Sequence, residues 1–385
     1  MPPSDLVVVG AGCAGLSLAA HLVERGALRG RRLVLLDARA RYSHDRTFCF
    51  WSFGGGLFDG SVAARWPRWT VRAEGRAVTR AAPGLSYACI PGDAFYAAAQ
   101  ARLAAAGASV ELRLGVAVHD LHDAGDRVCL ITSEGPREAS LVFDSRPVPA
   151  PSLRHVTLLQ HFRGHVVETD ADVFDPQAAT LMDFVGPQDR GVHFVYVLPF
   201  TPRRALVEST FFSHEPAAPT VYDGIIDDYL RTKVGARAWA VRHTEAGVIP
   251  MTTAPFALHP SPRVVRVGLA GGFARPSTGY AFAATQRWAR AAAEVLAEDR
   301  PFRAPPLRAP RYAALDATLL SLLDRDPAKG AGLFLRLFER VEPARLARFL
   351  SDESSMHDDL RVMASSPLLT MTLETARAAP LWMRP

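Results

Sequence analysis

The chain predicts an α/β fold in which a Rossmann-like dinucleotide-binding domain is interrupted by an antiparallel β-sheet domain and followed by a C-terminal helical segment. Three observations lead there. An apolar strand enters a glycine turn and a helix near the N-terminus, consecutive strand patterns run between about 155 and 215, and helical periodicity takes over after residue 311. At roughly 150 residues per domain, the 385 residues allow about two to three domains.

Residues 5 to 38 read as a βαβ unit. Leu6-Val7-Val8-Val9 is a strand, a helix runs to about Arg25, Gly26 stops it, and Leu33-Val34-Leu35-Leu36 is the next strand. Residues 69 to 80 alternate about Glu74-Gly75 as a β-hairpin. Asp93 is expected to N-cap an alanine-rich helix that Gly107 ends. Strands follow near 109 to 116, 127 to 132 and 140 to 144, and then come the four strands of the 155 to 215 run. Val264 to Leu269 leads into a second glycine turn and a helix from Ala281 to Ala297. The proline-rich linker 301 to 310 opens a helical segment from 311 to 350, with a tail to Pro385. This reading assigns 1–68, 89–152 and 245–300 to the dinucleotide domain, 69–88 and 153–244 to the β-sheet domain, and 301–385 to the helical segment.

Composition excludes several classes of function. With 49% hydrophobic and 22% charged residues the chain is neither disordered nor collagen-like. Its net charge of +5 comes from scattered arginines, since Lys233 and Lys329 are the only lysines, and so argues against a nucleic-acid partner. Cys13, Cys49, Cys89 and Cys129 form no CxxC pair, so no zinc site or disulfide framework is expected, and no metal is assigned. The longest uncharged stretch, Leu6 to Ala20, is too short and glycine-rich for a membrane span, and a cytoplasmic location is expected.

Gly10-Ala11-Gly12-Cys13-Ala14-Gly15 fits G-x-G-x-x-G between strand and helix. Gly10 allows the tight turn, Gly12 leaves room for a pyrophosphate, and Gly15 lets strand and helix pack closely. Asp37, at the end of the second strand, is placed to accept ribose hydroxyls. A second glycine-rich turn, Gly268 to Tyr280, favours FAD over NAD, because an extended dinucleotide needs a second contact region for its flavin end. The competing reading of that turn is a β-α connection without a ligand.

Asp45-Arg46-Thr47-Phe48-Cys49-Phe50-Trp51, Phe143-Asp144-Ser145-Arg146-Pro147, Leu181-Met182-Asp183-Phe184, Phe194 to Pro199, Leu206-Val207-Glu208-Ser209-Thr210 and Pro276-Ser277-Thr278-Gly279-Tyr280 resemble the signature blocks of bacterial lycopene cyclases, in order, from residue 5 to about 365. The resemblance implies an FAD-binding domain of the flavin hydroxylase/reductase type. It also implies an isomerase that turns the ψ end groups of lycopene into β-ionone rings without net redox change, using reduced FAD with NAD(P)H as the expected reductant. Gly10, Gly12, Gly15, Asp37, Arg46, Gly268, Gly272, Pro276, Thr278 and Gly279 are the expected cofactor residues. Leu269 stands where flavin hydroxylases place Asp, which weakens a hydroxylase reading. The alternatives kept open are a redox flavoenzyme on the same scaffold, either a monooxygenase or an isoprenoid reductase, and a binding protein without turnover.

Such a cyclisation needs one acid, a dry apolar site and negative charge near a developing carbocation. Glu208, in the apolar strand Ala205 to Phe212, is the first candidate for the acid, because burial would raise its pKa. Glu245, whose surroundings match a family Glu-x-Gly-x-(Ile/Leu)-Pro block, is the second, and Asp183 the third. The plainer reading of each is a strand carboxylate facing solvent or an arginine. Phe50, Trp51, Phe194, Tyr196, Phe200, Phe211, Phe212 and Tyr280 are candidates to line a polyene site. Leu333, Phe334, Leu337, Phe338 and Val341 share a helix face, explained by core packing or by an interfacial helix giving peripheral membrane contact.

Overall fold

The computed structural model describes residues 6–148, 155–298 and 301–382. Residues 152, 153 and 300, at which the sequence reading divides domains, lie outside them. A five-stranded parallel sheet has the order Val264–Arg266, Leu141–Asp144, Leu6–Val9, Leu33–Asp37, Val110–Leu114. Leu6–Val9 and Leu33–Asp37 are buried throughout, as strands covered on both faces must be. Helices Cys13–Glu24 and Phe282–Leu296 pack over one face through Leu16, Ala20, Trp288 and Ala292. The small antiparallel sheet Val118–Asp123, Val128–Thr132, Gly135–Ala139 supplies Val128 and Leu130 to the other.

A seven-stranded sheet has the order Trp239–Thr252, Thr157–Thr169, Arg204–Ser213, Val192–Thr201, Ala178–Asp183, Arg68–Ala73, Arg76–Ala81. The hairpin expected about Glu74-Gly75 is its edge, with both turn residues at positive φ. One pair is parallel, Ala178–Asp183 with Arg68–Ala73, so the sheet is mixed and not wholly antiparallel. Two strands run across expected boundaries. Trp239–Thr252 runs unbroken through residue 245, because its pairing with Thr157–Thr169 continues to Thr252. Ser86–Pro91 likewise crosses 88/89, held between Thr47–Ser52 and Ala64–Trp66 in a three-stranded sheet.

Asp93 is not an N-cap. The helix starts at Gly92 with Pro91 before it, and the Asp93 carboxylate accepts from Ala94 N inside the first turn. The C-terminal segment is helical beyond residue 350: Arg311–Arg325, Ala328–Arg340, Pro343–Leu350, Met356–Ser365 and Leu368–Trp382. Leu333, Phe334, Leu337, Phe338 and Val341 are buried with Trp69, Leu181 and Phe194 of the large sheet. That face is core, at ~1.5–3 kcal/mol for each large side chain buried, and so is closed to a membrane.

Candidate functional site

The two glycine turns meet. A Cβ on Gly268 would stand 3.2 Å from Ala14 Cβ in the first motif, so both turns border one space. Within G-x-G-x-x-G the folded chain accounts for two glycines by itself. Gly10 has φ +93°, and a Cβ on Gly15 would fall 2.1 Å from Gly10 O. Gly12 is different. Its φ of −81° suits any residue, and a Cβ there would meet only the Arg39 guanidinium at 3.7 Å. The room beside Gly12 is what a phosphate needs, above the free amides of the helix N-terminus.

Asp37 sits beside this loop, and both its oxygens are engaged. Oδ2 accepts from Ala11 N at 2.7 Å and Oδ1 from Arg39 N at 2.8 Å, while the Arg39 guanidinium reaches both oxygens and Ala11 O. A ribose bound at Asp37 must displace Arg39, a residue that the motif did not single out. Arg46 forms a fork on Asp45, and its charge is felt at Cys13 in the glycine loop and at Glu245 in the large sheet. It stands between the two halves of the site.

In the late turn, Gly272 and Gly279 have φ of +75° and +70°, and a Cβ at Gly279 would fall 2.0 Å from Gln160 Oε1. That Gln160 oxygen is buried and has no hydrogen-bond donor among the described residues, so an acceptor stands ready where turn and sheet meet. Thr278 N and Gly279 N both donate to Arg275 O, which fixes the Pro276–Gly279 bend. Tyr280 follows, its hydroxyl 3.2 Å from that of Tyr87.

Across the large sheet Gly164 pairs with Glu208 on one side and with Glu245 on the other, so the two carboxylates flank a glycine on the same face. A Cβ at Gly164 would meet Glu208 Cβ at 3.2 Å and Leu206 Cδ1 at 2.9 Å. Glycine therefore clears the space between the acids. Both carboxyls are buried. Glu208 Oε1 accepts from Thr210 Oγ1 and Glu245 Oε2 from Thr47 Oγ1, each at 2.8 Å. Burial first, and the neighbouring Glu245 charge second, push the Glu208 carboxyl up to about 8 against the Thr210 hydroxyl. Burial also raises Glu245, opposed by Thr47 and by the Arg46 charge. Burial thus favours the neutral form of both carboxyls, and Glu208 keeps its proton at neutral pH.

Aromatic rings surround this pair. Tyr196 is the cross-strand neighbour of Glu208, and Tyr87 lies edge-on to Tyr196 and to Trp51 at 6.2 and 4.9 Å. Trp51 and Trp69 are 4.7 Å apart, and a narrow cleft lined by Cys49, Phe50, Trp51, Tyr280, Phe282 and Leu350 opens beside them. Phe194, Tyr196 and Phe212 share the Glu208 face. Phe211 does not, because it points to the other side and stacks on His193 and His161.

Asp183 is also on the far face. It pairs with Val195, which faces with Ser209, away from Glu208, and its carboxylate accepts from Tyr229 and lies 3.6 Å from Arg72. It borders a separate cavity of about 730 Å³ lined by Arg68, Arg72, Arg76 and Lys233. Charged side chains of both signs line it, Glu74 and Asp175 among them, and such a lining suits no bare polyene. A cluster that sequence did not indicate is His44, His243 and Glu245. The two imidazoles stack at 4.3 Å, and one ligand atom from each of the three residues lies within 4.8 Å of the others.

The family model described as lycopene cyclase protein matches residues 5–376. A lycopene beta-cyclase of Paracoccus sp. (strain N81106 / MBIC 01143) is 30% identical, with 94% of each chain covered. Among solved structures, a geranylgeranyl bacteriochlorophyll reductase-like protein from Thermoplasma acidophilum superposes with a TM-score of 0.63 at 13% identity, covering 96% of this chain and 98% of that one. A Klebsiella pneumoniae HpxO variant complexed with FAD gives 0.59 at 16% identity, covering 95% and 100%. At these identities the solved structures establish the fold alone, that of flavin-dependent monooxygenases and reductases, as the parallel sheet and glycine turns anticipate. The sequence matches go further, because they span nearly the whole chain, the strand carrying Glu208 and the one carrying Glu245 included, and by them the chain belongs to the lycopene cyclase family.

Proposed function

We propose that the protein is a lycopene β-cyclase, which protonates a ψ end group of lycopene and closes it to a β-ionone ring without gain or loss of electrons. The observation that carries this is the buried pair Glu208 and Glu245, one of them protonated at neutral pH, on an aromatic-lined face. A redox enzyme of the same fold has no need of such a pair. Glu208 gives its proton to the terminal double bond, and a tertiary carbocation remains. Tyr87, Tyr196 and Trp51 face it with their rings, at about 0.5–2 kcal/mol each. The neighbouring alkene attacks the cation, and the ring carbon then loses a proton to the carboxylate pair, which ends with the one proton it started with. Thr47 and Thr210 hold the two carboxyls in place.

The glycine turns fit FAD, with the pyrophosphate at Gly10, Gly12 and Gly15, Asp37 toward the ribose, Arg46 between cofactor and acids, and Gly268, Gly272, Pro276, Thr278 and Gly279 toward the flavin. When bound and reduced, FAD supplies a fixed negative charge near the developing cation, with NAD(P)H as its source of electrons. The fit is tested by Gly12→Val. Because neither φ nor packing calls for glycine there, the unfolding midpoint of the flavin-free chain should not move, while flavin occupancy falls more than about tenfold. Equal losses of both would make Gly12 a packing residue.

Incubation with lycopene, FAD and NADPH tests the reaction. The expected product has an unchanged mass, a blue-shifted spectrum and the chromatographic behaviour of β-carotene or γ-carotene. Added oxygen or hydrogen would replace this reading with a monooxygenase or a reductase, and an unaltered polyene with a binding protein. The substrate dissolves in bilayers, so we also place the protein at a membrane surface. No described helix is long and apolar enough to cross one.

A further inference from the structure

The last two helices are built inside out. In helix Met356–Ser365 the two carboxylates face the protein: Asp358 is buried and takes Arg345 and Arg348, and Asp359 is buried and takes Arg311. Val362 packs inward, but the larger apolar residues face outward, with Met356 72% and Leu360 62% exposed and Met363 exposed after them, at i, i+4 and i+7. Helix Leu368–Trp382 repeats the arrangement. Glu374 is buried with Arg325 and Arg377 as partners, while Leu369, 77% exposed, and Leu373 point away at i and i+4. A surface helix of a globular protein ordinarily does the reverse. The buried ion pairs also prevent either helix from rolling over, since turning it would strand carboxylates and guanidinium groups without partners. Five large apolar side chains are therefore held toward solvent on consecutive helices.

We propose that this face docks the protein on a lipid bilayer with anionic headgroups. The proposal rests on the lycopene cyclase reading, which gives the protein a bilayer-dissolved substrate. Charge favours a membrane over a second copy of the chain. His357 and Arg361, both exposed, lie one residue along from Met356 and Leu360, and the chain carries +5 overall. Two such faces together would set like charges against each other, whereas anionic headgroups neutralise them. Position points the same way. Leu350, Ser351 and Asp352 line the cleft beside Trp51 and Tyr280, and Met356 follows on the same chain a few residues later. Docking through this helix brings the cleft near the acyl chains from which a polyene would enter.

The test is flotation of the full chain with vesicles of phosphatidylcholine and phosphatidylglycerol, comparing it with a Leu360→Ser, Leu369→Ser, Leu373→Ser variant. The bound fraction of the variant should fall at least about tenfold, with flavin content and turnover of detergent-dispersed lycopene unchanged. Pure phosphatidylcholine vesicles should bind the unaltered chain more weakly, and equal binding would remove the headgroup part of the proposal. Equal flotation of variant and unaltered chain overturns it. So does a change from dimer to monomer on size exclusion without a change in flotation, which would give the face to a second copy. If flotation behaves as expected but detergent-dispersed lycopene is not cyclised by either protein, the enzymatic reading fails and the docking face stands.

Discussion

Glu208→Gln should lower cyclisation by about 10²–10⁴-fold, the usual share of a positioned general acid, with flavin still bound. The amide keeps the shape of the side chain and can still meet Thr210, so a loss would report the missing proton and not a collapsed strand. The pH dependence follows from the same shift. With the carboxyl pushed up to about 8, the donor is protonated at neutral pH, and turnover should decline as pH rises through that value. Stability carries the matching sign. A carboxyl whose pKa is higher folded than unfolded favours the fold fully below its ordinary carboxylate value, and that contribution is lost as pH rises to about 8. Urea titrations should therefore show the Glu208→Gln protein losing less stability than the unaltered one between those limits. Full activity in the variant would take Glu208 out of the mechanism, and an unchanged pH profile in the unaltered enzyme would take the Glu208 proton out of it.

The flavin side of the molecule was legible because its signals are local. Strand, glycine turn, helix and second strand follow one another within residues 6 to 37, and each is fixed by near neighbours. The acid pair was legible residue by residue, but not as a pair. Glu208 and Glu245 are brought together by Gly164 on a third strand, and only strand order and register show that this glycine separates them. The side to which the third candidate, Asp183, turns was likewise not legible. Simple alternation puts it on the same face as the buried Leu181, but the register shifts between Thr180 and Asp183 and turns the carboxylate to the other side. At the C-terminus, periodicity located an apolar face at 333 to 341 without indicating what covers it. The outward stripe at 356 to 373 lay in helices whose buried carboxylates find arginines contributed largely by other helices. Pairings of that kind leave no local pattern in the sequence.

Arg275→Met should cost about 3–5 kcal/mol of stability, the range for breaking a buried ion pair. Arg275 is almost fully buried between Asp316 and Asp352, which are themselves buried, at 2.9 and 3.5 Å. Its guanidinium also donates to Phe349 O and lies 4.8 and 4.5 Å from the rings of Tyr312 and Phe349. Methionine fills much of the volume but leaves two carboxylates facing one another in an apolar site, with Arg308 reaching only Asp352. The effect should extend beyond stability. Arg275 O accepts both Thr278 N and Gly279 N, and Ser277 Oγ donates to Asp316, so this one cluster joins the late glycine turn to the helical segment. Loosening it should reduce flavin occupancy together with the unfolding midpoint, unlike Gly12→Val, which should reduce occupancy alone. Adding Asp316→Asn and Asp352→Asn to Arg275→Met removes the stranded charges, and should recover most of the midpoint but not the occupancy, because the amides relieve repulsion without rebuilding the anchor. If the single variant unfolds at the same urea concentration as the unaltered chain, the cluster does not hold the turn. If the triple variant recovers both quantities, repulsion alone accounts for the loss.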